Sequence, residues 1–198
     1  MEGVIEVPEI KIALIGSAPS SVRGAPYQDP SWQVWGCSPG AYGVVPRGRS
    51  NIWWELHKYE PGQTWFSPEY CNFLRDHPQV MVAEPRAEIP NGQLLPVDEL
   101  VKKYSPYFFT SSVAWMMAMA IEVGAKKIGL WGIDMAATEE YGDQRAGLHY
   151  FALIAKKLGI EVGVPFESDL FRPRFLYGVD EIKHSHVKLR ARRQELLG

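Results

Sequence analysis

Groups able to do chemistry stand directly after short apolar runs in this sequence. The run Ile10-Lys11-Ile12-Ala13-Leu14-Ile15 stops at Gly16-Ser17-Ala18-Pro19-Ser20-Ser21. Small residues there let a backbone approach a ligand closely, and the serine hydroxyls suit a phosphate or a ribose. The loop has neither the Gly-x-Gly-x-x-Gly fingerprint nor a P-loop lysine, so hydride chemistry and P-loop hydrolysis lose support. Gln33-Val34-Trp35 leads into a second small-residue turn, Gly36-Cys37-Ser38-Pro39-Gly40. With no histidine near it in sequence, Cys37 reads as a buried, inert thiol before it reads as a nucleophile. Ile52-Trp53-Trp54-Glu55-Leu56-His57 ends in an acid and an imidazole two residues apart. Strand alternation puts both on one face, where the carboxylate raises the imidazole's proton affinity and makes an acid/base couple. The competing expectation is an exposed, charged strand end.

Further on, Thr110-Ser111-Ser112 precedes a long apolar stretch and reads as a helix start, where free N–H groups and the helix dipole favour an anion. Gly132-Ile133-Asp134 combines close backbone approach with a carboxylate. Asp134 can bind a ribose hydroxyl, hold a divalent cation or cap the next turn. Beyond it, Glu139, Glu140, Tyr141, Asp143 and Arg145 suggest a charged loop able to close over a ligand. His149 falls within a helical pattern and reads as core or surface, and His184 and His186 have no evident partner.

The elements that must position these groups alternate. Strands are expected over Ile10–Ile15, Gln33–Trp35, Ile52–His57, Val80–Ala83, Lys126–Asp134 and Ile160–Val164. Helices are expected from Ser67-Pro68 to about His77, over Val97–Tyr104, from about Val113 to Glu122 with Gly124 as its stop, and over Gln144–Leu158. Val113 to Ile121 is apolar almost all round, the mark of a helix buried on several sides. Such alternation predicts an α/β, Rossmann-like fold: a mostly parallel sheet with helices on both faces and ligands at the carboxyl ends of the strands. One domain over 1–178 is expected, followed by a charged C-terminal helix or tail over 179–198.

Composition narrows the classes. The 198 residues carry 21 Lys+Arg against 23 Asp+Glu, a net charge of −2, which disfavours nucleic acid as the main partner. No run approaches the ~20 apolar residues of a membrane span, and the short acidic start does not read as a signal peptide, so none is expected. Two cysteines make no disulfide framework and no metal-ligand spacing. A cytoplasmic location is the resulting expectation. The 12% aromatic share either enlarges the core or lines a site that stacks flat rings or sugars.

Taken in order, Gly16-Ser17-Ala18-Pro19-Ser20, Gly36-Cys37-Ser38, Phe109-Thr110-Ser111-Ser112-Val113, Gly124-Ala125-Lys126-Lys127-Ile128 and Gly132-Ile133-Asp134 resemble a known pattern. It is similar to the bacterial sialyltransferases that use CMP-sialic acid and to the related hydroxymethylpterin-pyrophosphokinase-like proteins. The chain as a whole also resembles short proteins encoded by tailed bacteriophages and prophages. In the sialyltransferases the order is a Gly-x-Gly-Pro-Ser turn, a Cys-Asn turn, Thr-Ser-Gly, a helix and Gly-Ile-Asp. The resemblance spans about Lys11 to Val164 and implies a nucleotide lying over the first, second and central strand ends. Gly16, Ser17, Ala18, Pro19, Ser20, Cys37, Ser38, Ser111, Ser112, Gly132 and Asp134 would then contact base, ribose or phosphate. Three departures stand out. Ser38 replaces the asparagine, Ser112 replaces the last glycine of Thr-Ser-Gly, and Ala136 to Ala146 lacks the family's lid histidine. Glu140, Tyr141 or His57 would have to stand in as the base.

Three functions follow. The first is a glycosyltransferase-like enzyme that binds a nucleotide or nucleotide sugar, with a divalent cation as an option, and acts on a hydroxyl acceptor. The second is a non-catalytic nucleotide binder. The third is a structural or assembly protein, in which the aromatic surface and the basic C-terminal segment make a homo-oligomer.

Overall fold

The computed structural model describes residues 9–58, 62–64, 66–135 and 139–171, with side chains from 142 onward in the last stretch. The expectations for 179–198, His184 and His186 lie outside these residues. Among the described residues, short runs become seven strands: β1 Lys11–Ile15, β2 Trp32–Cys37, β3 Ile52–Glu55, β4 Val80–Val82, β5 Gly92–Leu94, β6 Lys127–Trp131 and β7 Glu161–Gly163. All pair in parallel in the order β5-β4-β3-β2-β1-β6-β7. The chain therefore steps outward from β1 to β5 and returns to the other side of β1 for β6. That reversal opens a crevice at the carboxyl ends of β1, β2 and β6. The expected α/β, Rossmann-like architecture is what forms.

Helices cover both faces: α1 Ser38–Tyr42, α2 Pro68–Asp76, α3 Val97–Lys103, α4 Ser112–Glu122 and α5 Glu139–Lys157. Side chains alternate along each strand, so Ile12, Leu14, Trp35, Cys37, Trp54 and Leu130 face α3, α4 and α5, while Ala13, Ile15, Val34, Trp53 and Val82 face α1 and α2. Helix α4 is buried along Val113, Ala114, Met116, Met117, Ala118, Ala120 and Ile121, because it lies between the sheet and α5. Gly124 ends it with a φ of +77°, a conformation glycine adopts without cost. No helix among the described residues is long and apolar enough to cross a membrane.

The structure differs from the sequence reading in three places. Gly92–Leu94 adds an edge strand that a three-residue, partly polar stretch does not announce. Ser38–Tyr42 forms a short helix in place of an open turn. The charged loop expected after Asp134 is already helical from Glu139. Glu139 and Glu140 are the first two residues of α5.

Candidate functional site

The tips of β1 and β6 are fastened together by backbone contacts. Gly16 N–H donates to Trp131 O at 2.9 Å, and Ala18 N–H donates to Gly132 O at 2.8 Å. Gly132 N–H donates to the buried Ser21 hydroxyl at 2.9 Å. The approach is close enough that a Cβ on Gly16 would sit 2.4 Å from Gly132 O, and one on Gly132 would sit 2.7 Å from Gly16 O. Gly132 also has a φ of +66°, so both glycines are demanded by geometry.

Beside this contact opens a cleft of about 850 Å³. Gly16, Ser17, Ala18 and Pro19 line it from β1, Cys37 and Ser38 from β2, His57 from β3, Ser111 and Ser112 from α4, and Gly132 and Asp134 from β6. Ten of the eleven residues expected to contact a nucleotide thus meet in one place, joined by His57. Ser20 is not in the lining, and its hydroxyl donates to Ser21. Phe109 and Trp115 stack on each other at 3.8 Å and form an apolar wall. Among the described residues, no three His, Cys, Asp or Glu side chains come together to hold a metal ion.

Each group has a definable capacity. Cys37 is buried, its thiol donates to Ile15 O at 3.6 Å, and burial pushes its pKa up to about 12. It lines the floor as a neutral thiol and is no nucleophile. Ser38 is held at a φ of +66°, a left-handed conformation that asparagine tolerates better than serine. Ser111 caps α4, its hydroxyl accepting from Ala114 N–H at 3.2 Å. The amides of Ser112 and Val113 are the first two of the helix and have no intrahelical acceptor, and both residues line the cleft. Asp134 Oδ1 is buried and has no hydrogen-bond partner among the described residues. A buried acceptor in a cleft wall, left unpaired, is free to accept an N–H or O–H.

The pairing of Glu55 with His57 takes a form the sequence did not disclose. Glu55 is fully buried, whereas His57 beside it is 47% exposed, so the expected exposed, charged strand end holds for the histidine and not for the acid. Glu55 Oε1 accepts from the His57 amide at 3.0 Å and lies 2.8 Å from His57 Nδ1. The hydrogen bond to Glu55 raises the His57 pKa, against a smaller opposing effect of partial burial. Oε2 accepts from the Tyr70 hydroxyl of α2, which in turn accepts from Trp53 Nε1 at 2.9 Å. Tyr70 and Trp53 were not singled out in the sequence, although period-two alternation does place Trp53 and Glu55 on one face of β3. The side chains of Glu140 and Tyr141 lie outside the described residues. His149 Nε2 donates to Leu170 O at 2.9 Å, and the residue does not line the cleft.

No family model matches the chain, and no curated protein matches it in sequence. Solved structures do share its shape. The sialyltransferase CstII from Campylobacter jejuni, in complex with the substrate analogue CMP-3FNeuAc, gives a TM-score of 0.51 at 15% identity, covering 78% of this chain and 79% of that one. The monofunctional alpha-2,3-sialyltransferase Cst-I from Campylobacter jejuni gives 0.52 at 13% identity, covering 98% of both chains. This chain has the fold of those sialyltransferases. At such identities the likeness speaks for the backbone arrangement alone.

Proposed function

We propose that the protein is a glycosyltransferase-like enzyme that binds a nucleotide sugar across the tips of β1, β2 and β6 and passes the sugar to a hydroxyl acceptor. The observation that carries this reading is one cleft holding a histidine backed by a buried carboxylate, a helix N-terminus and an unpaired Asp134 oxygen. The base and ribose lie against Gly16 to Pro19, Ser38 and Asp134. The phosphate accepts from the Ser112 and Val113 amides, which stabilise the charge that grows as the sugar–phosphate bond breaks. His57 Nε2 takes the proton of the attacking acceptor hydroxyl, and the nucleotide leaves with the bonding electrons. His57 thereby fills the role left open by the missing lid histidine. A fold shared with a sialyltransferase solved with a CMP sugar makes cytidine compounds the first donors to test.

The test is turnover of CMP- and UDP-sugars, with and without magnesium, against simple sugar and nucleotide acceptors. His57→Ala is expected to lower turnover ~10²- to 10⁴-fold, the usual contribution of a general base, with donor binding retained. Donor binding with no product from any acceptor would leave a nucleotide binder in place of an enzyme.

A further inference from the structure

We infer that Tyr70, fixed by Trp53, is a positioning residue that acts through Glu55 to hold His57 with its proton on Nδ1 and its Nε2 lone pair toward the cleft. The direction of each hydrogen bond follows from the donors available. An indole N–H can only donate, so Trp53 Nε1, 2.9 Å from the Tyr70 oxygen, fills an acceptor site there. The Tyr70 hydrogen is then directed at Glu55 Oε2. A backbone amide also can only donate, so His57 N–H occupies Oε1 as a donor at 3.0 Å. Both carboxylate oxygens are therefore engaged as acceptors. The 2.8 Å contact between Oε1 and His57 Nδ1 needs its hydrogen on the nitrogen. Neutral imidazole has one N–H, so Nε2 is left as the acceptor, on the side of the ring away from Glu55.

The sequence builds this line of groups economically. Trp53 and Glu55 share one face of β3 by alternation, and His57 follows two residues beyond the end of the strand. Ser67 caps α2, accepting from Tyr70 N–H at 3.2 Å, and fixes the turn that lays Tyr70 over that face. Tyr70 is 1% exposed, and burial together with the neighbouring Glu55 charge raises its pKa well above 10, so it stays a donor at any working pH. Among the described residues, the other charged groups near the ring are Arg86, whose charge opposes protonation of His57 from the segment after β4, and Asp134, which lines the same cleft. Among the described residues neither hydrogen-bonds to the imidazole, so the contacts that set its tautomer come from the Glu55 side.

As a role in turnover this rests on His57 being the proton acceptor; as a statement about the imidazole it does not. The test is ¹⁵N NMR of the full-length protein, with His57→Gln identifying the His57 signals among five histidines. Above its titration midpoint, wild-type His57 is expected to show a protonated Nδ1 and a bare Nε2. Tyr70→Phe removes one donor from a buried anion. The proton shared by His57 and Glu55 is then held more tightly, and the midpoint rises by about one pH unit. Glu55→Gln lowers the midpoint and releases the tautomer. A dominant Nε2–H form in the wild type overturns the proposal. So does an unchanged or lowered midpoint in Tyr70→Phe, which is what a residue that merely packs would give. If Tyr70→Phe does not fold, 3,5-difluorotyrosine at position 70 keeps the shape and donates more strongly. It is expected to lower the midpoint, and no movement there overturns the proposal equally. None of these signals needs a donor sugar or an acceptor, so failure of the transferase reading and failure of this one are told apart.

Discussion

His57 stands 47% exposed at the end of β3, with Nδ1 on a carboxylate that is 0% exposed. Because Glu55 raises its pKa above the ordinary ~6.5, the acid limb of the pH–rate profile is expected to have its midpoint above that value. Glu55→Gln should move the limb to lower pH. The same shift has a sign for stability. A raised folded pKa means the pair's contribution is complete below about 6.5 and is lost as pH rises through the folded value. Denaturant unfolding of wild type and His57→Gln should therefore differ most at the acid end and converge toward alkaline pH. Divergence toward alkaline pH would contradict the assignment. Strand alternation made the partnership of Glu55 and His57 legible in the sequence. The burial of Glu55 was not legible, because it depends on Tyr70, which arrives from a helix beginning thirteen residues later. Ser38 belongs at this scale too. At a φ of +66° it carries part of the ~1–2 kcal/mol left-handed penalty, so Ser38→Asn should raise the thermal midpoint and Ser38→Val should lower it.

Elements earn their positions through a few close contacts. The tips of β1 and β6 meet at Gly16 and Gly132, where either Cβ would enter the other's backbone. Gly132→Ala is expected to cost at least ~2 kcal/mol, the left-handed penalty plus the clash. It should weaken ligand binding as well, since the Asp134 tip shifts with it. Ser111→Ala removes the α4 cap and should cost about 1 kcal/mol, measured by denaturant unfolding. The helix α4 was readable because its apolar run, its serine cap and Gly124 all agree. The α2 start was readable from Ser67-Pro68 in the same way. The start of α5 was not, since acidic residues at a helix N-terminus look like a polar loop until the helix is known to continue. β5 was not readable either. Its Gly92, Gln93 and Leu94 belong to the sheet only because β4 supplies a parallel edge.

At the scale of the whole molecule, chain order decides where the site lies. Among the described residues, seven parallel strands with the reversal between β2 and β6, on either side of β1, make loops diverge at the carboxyl ends of β1 and β6, where a ligand can enter. That place was inferable from strand and helix alternation alone, and the small-residue turns marked which strand ends face it. The measurement that tests this account most directly is a thermal-shift screen of nucleoside mono-, di- and triphosphates and nucleotide sugars, with and without magnesium, on wild type and Asp134→Ala. A ligand at 100 times its Kd adds ~2.7 kcal/mol, about 5–10 °C for a chain of this size. The account predicts such a shift for a nucleotide sugar, reduced or abolished in Asp134→Ala. A wild-type midpoint that no nucleotide moves would contradict it and leave a Rossmann-like fold turned to assembly.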